Sequence, residues 1–121
     1  MRFEITGTEI LDRKTGLIWQ RDIAENLTYN EAFEYAEQVA LETGLAWRVP
    51  TIDELSSLLD RTRSFPASGF PDMPSEKFWS SLPYVGGIDL AWVVYFSYGF
   101  VSSSSCNYGY AVRLVRSFYE I

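Results

Sequence analysis

The chain has 121 residues, of which 47% are hydrophobic, 17% aromatic and 21% charged, and its formal net charge is −6 at pH 7. This length and composition predict a single folded domain over residues 1–121. The chain has no histidine and one cysteine, Cys106, which excludes histidine-based catalytic triads, zinc sites built from cysteines and an internal disulfide. The acidic balance argues against a nucleic-acid partner, and no apolar run reaches the roughly 18 residues of a membrane-spanning helix.

The N-terminal part of the chain predicts two short strands and then a helix. The strands are expected at residues 8–13 and 17–20, separated by a turn. Thr28 and Glu31 have the spacing of a capping box, in which each side chain binds the backbone amide of the other residue. Apolar residues follow at helical spacing as far as Gly44, a residue type that commonly terminates helices.

A second helix is predicted directly afterwards. Thr51 and Glu54 repeat the capping-box spacing, and the apolar residues that follow place the end of this helix near residues 60–63. The next segment, residues 64–75, contains three prolines and a glycine, and we therefore expect a long irregular loop there.

The C-terminal half is rich in aromatic residues and serines and predicts strands joined by loops. Strands are expected at residues 78–81, 90–97 and 111–115, and residues 102–110 are expected to form a polar, aromatic loop. The acidic helical half and the strand-forming half together predict one α+β domain.

Six short motifs occur in order along almost the whole chain, from about residue 8 to residue 116. They are KTGLIWQ at 14–20, TYNEA at 28–32, WRVPTIDEL at 47–55, FWSS at 78–81, AWVVYF at 91–96 and VRLVR at 112–116. In this combination the chain resembles the bacterial DUF1566 family, which includes the C-terminal domain of the Legionella collagen-like protein. The RVPT and VRLVR segments also resemble the formylglycine-generating, or sulfatase-modifying, family.

The resemblance implies a C-type-lectin-like fold, with two helices packed on twisted antiparallel strands and long loops on one side. It also implies a non-catalytic binding module, similar to an adhesin or to the hypervariable display proteins of this fold, that acts at the cell surface or after secretion. We expect no signal peptide in this chain, so the sequence leaves the localisation open. The domain of the collagen-like protein binds sulfated glycosaminoglycans, but a net charge of −6 favours a neutral glycan or a protein as the ligand here.

Two other classes of function are open alternatives. The formylglycine-generating enzymes oxidise a substrate cysteine with a pair of active-site cysteines, which the single Cys106 cannot reproduce, so we expect no catalytic residues. A structural or assembly domain within an oligomer is the other alternative.

We expect no cofactor and no metal site, with calcium as the alternative to be tested. The chain lacks the EPN, QPD and WND motifs that sugar-binding C-type lectins typically use. Asp72, Glu76 and Asp89 fall in predicted loops and are the side chains that could supply oxygen ligands to a calcium ion.

The segment from residue 95 to residue 110 is the predicted ligand-binding segment. It combines tyrosines with serine, glycine and asparagine, residue types that dominate antibody paratopes because rigid rings supply contact area and small polar groups adapt their hydrogen bonds. An ordinary polar hairpin loop with a few buried tyrosines is the alternative interpretation. The predicted ligand contacts are Tyr95, Tyr98, Ser103, Ser105, Asn107, Tyr108 and Tyr110, with Trp47 as a further candidate.

The other tryptophans and four charged residues are predicted to stabilise the fold. Trp19, Trp79 and Trp92 lie in apolar motifs and are expected in the core. The charged residues are expected to cap a helix or to bind backbone carbonyls, with a charged binding site as the alternative. They are Arg48, Glu54, Arg113 and Arg116.

Overall fold

The computed structural model describes residues 1–118, which form two helices and nine strands and confirm the predicted α+β class. In chain order the elements are β1 (Phe3–Thr6), β2 (Glu9–Asp12), β3 (Leu17–Gln20), β4 (Ala24–Leu27), α1 (Tyr29–Thr43), α2 (Ile52–Ser56), β5 (Lys77–Pro83), β6 (Leu90–Tyr95), β7 (Phe100–Ser105), β8 (Tyr110–Val112) and β9 (Val115–Ser117). No helix within these residues is both long and apolar enough to cross a membrane.

The strands form two sheets that are linked by the C-terminal segment. The first sheet has the order β1-β2-β3-β9 and is antiparallel throughout. The second has the order β4-β8-β5-β6-β7, in which β5 and β8 are parallel and the other neighbours are antiparallel. Only Arg113 and Leu114 separate β8 from β9, so this short connection joins the two sheets.

Hydrophobic clusters cover both faces of the five-stranded sheet. On one face, Phe78 and Phe96 belong to the same cluster as Leu55 of α2. On the other face, Trp79 belongs to the same cluster as Ala32 of α1. Because successive side chains of a strand point to opposite faces, the neighbours Phe78 and Trp79 enter different clusters. The central strands are therefore buried on both sides, and the strand ends and the two edge strands, β4 and β7, are the more exposed parts of the sheet.

Both predicted capping boxes are present. The Glu31 amide donates to Thr28 Oγ1 at 3.3 Å, and the Thr28 amide donates to the Glu31 carboxylate at 2.9 Å. The same reciprocal pair joins Thr51 and Glu54, at 3.1 and 2.9 Å. As predicted, α1 stops at Gly44, whose φ of +70° is a conformation that glycine adopts without strain.

The second helix is shorter than predicted. It ends at Ser56 and not near residues 60–63. The Leu58 amide bonds to a carbonyl three residues earlier, a tighter turn than that of an α-helix, and the Asp60 amide bonds to the Ala67 carbonyl at 2.7 Å. These bonds turn the chain out of the helix, while Leu58 stays in the core with 1% of its surface exposed.

Two predictions for the C-terminal part are wrong. Residues 102–110 are not one loop, because Phe100–Ser105 form β7 and pair with β6 at every residue. The neighbouring strand supplies the hydrogen bonds, which offsets the weak strand preference of a run of serines. The predicted strand at 111–115 is split between β8 and β9, because Val112 pairs with β4 whereas Val115 pairs with β3 in the other sheet.

The strands β1 and β4 have no counterpart in the sequence prediction. Most of their side chains are exposed or half-buried, so they carry no alternation of apolar and polar residues that could be recognised. The predicted loop at 64–75 is confirmed, since it contains no helix or strand.

Asp12 is a buried carboxylate that ties the N-terminus to the rest of the fold. It is 0% exposed and accepts two hydrogen bonds of 2.9 Å from the Arg2 guanidinium and one of 3.0 Å from the Lys14 amide. Burial alone would raise the pKa of Asp12, but these hydrogen bonds outweigh it, and the pKa lies below its ordinary value of 3.8. The carboxylate therefore stabilises the fold above that value, and this contribution is lost as the pH falls through the lowered pKa.

We expect Asp12→Asn to lower the free energy of unfolding at pH 7 by about 3 kcal/mol, the lower end for a buried ion pair because Arg2 is 29% exposed. The difference should shrink as the pH falls below 3.8. Urea unfolding at neutral and acid pH measures both effects. Glu4→Gln, which removes an exposed ion pair with Arg13, is the control and should cost less than about 0.5 kcal/mol. Equal losses in the two variants would contradict the role of Asp12.

Candidate functional site

The structure distributes the predicted ligand contacts over two faces of the five-stranded sheet. Tyr95 lies opposite Phe100 in the pairing of β6 with β7, so these two side chains share a face. Ser103 lies opposite Trp92 and belongs to the other face, where Ser105 follows it. The two serines therefore cannot contact the same small ligand group as Tyr95.

A cleft of about 430 Å³ opens on the Tyr95 face and is the strongest candidate site. Four strands contribute to it, namely β4, β5, β6 and β8. Two of the predicted contacts, Tyr95 and Tyr110, are brought together in it, and we call it the tyrosine cleft. Its lining includes Glu25, Asn26, Glu76, Lys77, Tyr95 and Tyr110.

Lys77 lies between the two tyrosines. It is on β5, opposite Tyr95 of β6 and beside the start of β8, where Tyr110 is located. Its Nζ atom lies 5.4 Å from the centroid of the Tyr95 ring and 5.3 Å from that of Tyr110, within the range of cation–π attraction. None of the ion pairs found within residues 1–118 involves Lys77.

Two contacts hold the Tyr110 side chain in place. Its hydroxyl group is hydrogen-bonded to Ser104 Oγ at 2.6 Å, which connects β8 to the edge strand β7 across one face of the sheet. Its ring packs against the buried Trp79, with 5.0 Å between the ring centroids. One wall of the cleft is therefore fixed by the core below it.

Two carboxyl groups also line the cleft. Burial raises the pKa of Glu76, and the neighbouring Glu25 carboxylate raises it further. Glu76 therefore takes up a proton more readily than a fully exposed glutamate does. The negative charge of the cleft falls as the pH is lowered.

Gly109 allows the connection between β7 and β8 to pass close to β4. A Cβ atom at this position would overlap the side-chain oxygen of Asn26 and lie 3.2 Å from its backbone carbonyl carbon. Asn26 itself has a φ of +58° in an irregular part of the pairing between β4 and β8. A larger residue at position 109 would displace this wall of the cleft.

Exposed aromatic rings form a second feature beside the cleft. Phe65, Tyr98 and Phe100 are 59%, 55% and 59% exposed, and we call them the aromatic ridge. The ring of Tyr98 lies 4.7 Å from that of Phe65 and 5.9 Å from that of Phe100, measured between centroids. Because Phe100 lies opposite Tyr95 in the strand pairing, the ridge is continuous with the cleft.

The remaining predicted contacts differ in their exposure. Asn107 and Tyr108 are exposed in the connection between β7 and β8, and the Tyr108 ring lies 6.3 Å from that of Tyr110. Trp47 is buried, with 7% of its surface exposed, and the Arg116 guanidinium lies 5.1 Å from its ring centroid. Trp47 therefore offers little ring surface to a ligand.

Sequence reasoning missed Glu25 and Lys77 of the cleft and Phe65 and Phe100 of the ridge. These residues are far apart along the chain and meet only through strand pairing and loop packing. The one local signal was Lys77, a charged residue on the strand face that also carries the buried Trp79.

The structure does not gather the three candidate calcium ligands. Within the part of the chain that the structure describes, no three acidic or cysteine side chains are placed to hold a metal ion together. Asp72 pairs with Arg21 at 3.4 Å, and Glu76 lies in the tyrosine cleft. Asp89 is held near Cys106, whose amide donates to the Asp89 carbonyl at 2.8 Å.

Cys106 has the properties of an unactivated thiol. Its side chain is half-buried, burial raises its pKa, and the nearby Asp89 carboxylate raises it further. Nucleophilic cysteines are instead activated by cations that lower the pKa.

The charged residues of the short motifs have structural partners. Glu54 caps α2 and Arg113 binds carbonyls, as predicted, whereas Arg48 and Arg116 bind carboxylates where backbone carbonyls were predicted. Arg48 makes two hydrogen bonds to the Glu54 carboxylate, at 2.6 and 2.7 Å. Arg113 donates to two backbone carbonyls where β3 ends. Arg116 pairs with Glu9 at 3.0 Å. These contacts favour the structural interpretation over a charged binding site.

Comparison with known proteins gives a family match over most of the chain. The sequence model of the Lcl C-terminal domain family matches residues 8–116, the range over which the short motifs occur. No curated protein and no solved structure matches the chain.

Proposed function

The chain belongs to the Lcl C-terminal domain family, and on this premise we propose that it is a non-catalytic binding module that recognises a glycan or a protein. The recognition surface is the tyrosine cleft together with the aromatic ridge. The proposal includes a C-type-lectin-like fold, an adhesin- or display-like role and a location at the cell surface or outside the cell.

The observation that carries this proposal is the continuity of the ridge with the cleft. Single exposed aromatic residues are ordinary, but a contiguous apolar patch beside a polar cleft is typical of binding surfaces. Here the exposed ring of Tyr98 contacts that of Phe100, and Phe100 lies opposite Tyr95 in the strand pairing. Tyr95 in turn lines the cleft together with charged groups. Rings can stack on the apolar face of a sugar, while the neighbouring carboxyl and ammonium groups bind its hydroxyls.

Two features favour binding over catalysis. The Cys106 thiol has a raised pKa, which does not suit a nucleophile. The Glu25 and Glu76 carboxyls lie close enough together for Glu25 to raise the pKa of Glu76, whereas a glycosidase holds its two carboxyls at least about 5 Å apart to admit the scissile bond.

The charge of the site favours a ligand that is not a polyanion. The cleft carries two carboxyl groups and one ammonium group, and the whole chain has a net charge of −6. A sulfated glycan would be repelled by both, so a neutral glycan or a protein epitope suits the surface better.

An assembly domain is the second candidate, and the edge strand β7 favours it. This strand forms the end of the five-stranded sheet and carries no charged residue, whereas natural edge strands are usually protected by charges or prolines. Light scattering would distinguish the two candidates, because a stable oligomer that buries the aromatic ridge would favour assembly.

A glycan array probed with calcium and with a chelator tests the proposed function. We expect Tyr98→Ala combined with Phe100→Ala to weaken binding by at least about tenfold, since exposed rings at interfaces contribute on the order of 1 kcal/mol or more each. Tyr84→Ala, which removes a ring whose centroid lies 4.9 Å from that of Trp92, is the control and should leave binding unchanged. Unaltered binding by the double variant would exclude the ridge as the recognition surface, and loss of binding in chelator would require a calcium site.

A further inference from the structure

The tyrosine cleft contains charged groups of both signs that are not paired with each other. Lys77 takes part in none of the ion pairs within residues 1–118, and the same is true of Glu25 and Glu76. Glu76 and Lys77 are consecutive in the chain, and both line the cleft without forming an ion pair with each other. The cleft therefore holds an ammonium group and carboxyl groups that are not joined in an ion pair.

The environment of Lys77 leaves its hydrogen-bonding capacity unused. The two tyrosine rings attract the positive charge and fix its position. A ring face attracts the ammonium group but provides no oxygen atom to accept its hydrogen bonds. The side chain of Lys77 makes none of the hydrogen bonds identified among residues 1–118. An ammonium group has three donors, so an oxyanion entering the cleft would find all of them available.

The two carboxyl groups of the cleft, by contrast, favour the binding of a cation. Glu25 and Glu76 lie close enough to interact unfavourably when both are ionised. A cation placed against them would offset that repulsion, and Lys77 is held between the rings and does not pair with them.

We propose that the tyrosine cleft receives a zwitterionic group, in which an oxyanion binds Lys77 and an ammonium group binds Glu25 and Glu76. This inference rests on the proposed binding function and specifies the chemistry of the ligand. A cleft of about 430 Å³ is within the range of small-molecule sites. A ligand with only one of the two charges would leave the opposite group of the cleft unpaired.

The probe is O-phosphoethanolamine, with ethanolamine and inorganic phosphate as fragments that carry one charge each. Titration of the isotopically labelled protein, followed through the amide signals of Lys77, Tyr95 and Tyr110, measures binding at the cleft itself. We expect the zwitterion to bind at least about tenfold more tightly than either fragment, equivalent to about 1.4 kcal/mol. Equal affinities for the zwitterion and its fragments, or no shift of these signals, would overturn the proposal.

Two variants separate the roles of the two charges. Lys77→Met should weaken zwitterion and phosphate binding by at least about fivefold while ethanolamine binding is unchanged. Glu76→Gln should instead weaken ethanolamine binding and leave phosphate binding unchanged. Lys14→Met, which removes an exposed lysine in the turn between β2 and β3, is the matched control and should bind like the unchanged protein. An amide spectrum that is otherwise unchanged verifies the fold of each variant. Identical affinities in all three variants would contradict the assignment.

A sugar probe distinguishes the source of the zwitterionic group. Glucosamine 6-phosphate carries the same two charges on a pyranose ring, so tighter binding than O-phosphoethanolamine would assign the group to a sugar in contact with the tyrosines. Tighter binding of O-phosphoethanolamine would assign it to an alkyl substituent, and weak binding of both would refute the inference. If array binding depends on Tyr98 and Phe100 but the amide signals of the cleft residues do not shift, this inference alone is refuted and the proposed function stays in place.

Discussion

Replacement of Trp79 by alanine is expected to lower the free energy of unfolding by about 4 kcal/mol, in the range for deletion of a buried aromatic ring. The Trp79 side chain is 0% exposed and packs against Tyr29 and Tyr110, with 5.5 and 5.0 Å between ring centroids. Its indole N–H donates to the Leu27 carbonyl at 2.7 Å. The substitution therefore creates a cavity and also leaves a carbonyl without its donor.

The measurement is the free energy of unfolding from urea titration, with Trp92→Ala as the matched control. Trp92 lies on the next strand but is only half-buried, so its removal should cost about 1–2 kcal/mol. Trp79→Phe keeps most of the ring and loses the hydrogen bond to Leu27, for which we expect about 1–2 kcal/mol. A loss for Trp79→Ala no larger than that for Trp92→Ala would show that the centre of this cluster lies elsewhere.

The same substitution connects the core to the recognition surface. Tyr110 forms a wall of the tyrosine cleft and rests on the Trp79 ring. A cavity beneath it would allow Tyr110 to move away from Lys77. Ligand binding should therefore weaken in Trp79→Ala even where the variant is fully folded, whereas Trp92→Ala should leave the cleft intact.

The helix boundaries that depend on local chemistry could be predicted from the sequence. Thr28 with Glu31 and Thr51 with Glu54 form capping boxes within four residues, and Gly44 supplies a left-handed conformation by itself. The end of α2 could not be predicted in this way, because the bond from the Asp60 amide to the Ala67 carbonyl joins segments separated by a loop.

Strands that depend on distant partners were predicted less well. The serines of β7 have no strong strand preference, and their conformation is imposed by complete pairing with β6. The split at Arg113 and Leu114 separates two strands that belong to different sheets. Neither feature is encoded by the local alternation of apolar and polar residues.

For the candidate site, too, local composition predicted some residues, whereas others depend on strand pairing between distant parts of the chain. The paratope-like composition of residues 95–110 led to Tyr95 and Tyr110, which do meet in a cleft. Composition could not indicate that Ser103 points to the opposite face, because that depends on the register with β6. Lys77 joins the two tyrosines only because β5 lies between β6 and β8.

Arg113 is the second position at which we expect a large loss of stability. Its side chain is buried, with 1% of the residue exposed, and burial lowers its pKa to about 10, so it remains charged at neutral pH. Nη1 donates to the carbonyls of Gln20, at 2.8 Å, and Arg21, and the guanidinium lies 4.6 Å from the Phe70 ring centroid. It thus binds the end of β3 to the connection between the two sheets.

We expect Arg113→Met to lower the free energy of unfolding by about 3 kcal/mol, because it keeps the apolar stem but leaves two carbonyls without a buried donor. Arg113→Lys keeps the charge but presents a point-like ammonium group that cannot reproduce the planar guanidinium, and about half of that loss should remain. Arg61→Met is the matched control, since Arg61 is exposed and donates to the Gly99 carbonyl at 3.3 Å, and it should cost less than about 0.5 kcal/mol.

Buried charges can also be replaced by apolar side chains with a gain in stability, when the new side chain packs well. That outcome is not expected for Arg113, because the carbonyls of Gln20 and Arg21 would stay in place after the substitution and still require a donor. Urea titration of Arg113→Met at pH 7 decides whether the substitution lowers or raises the stability. A stability equal to or above that of the unchanged protein would mean that these carbonyls find another donor, and that the link between the two sheets does not depend on the arginine.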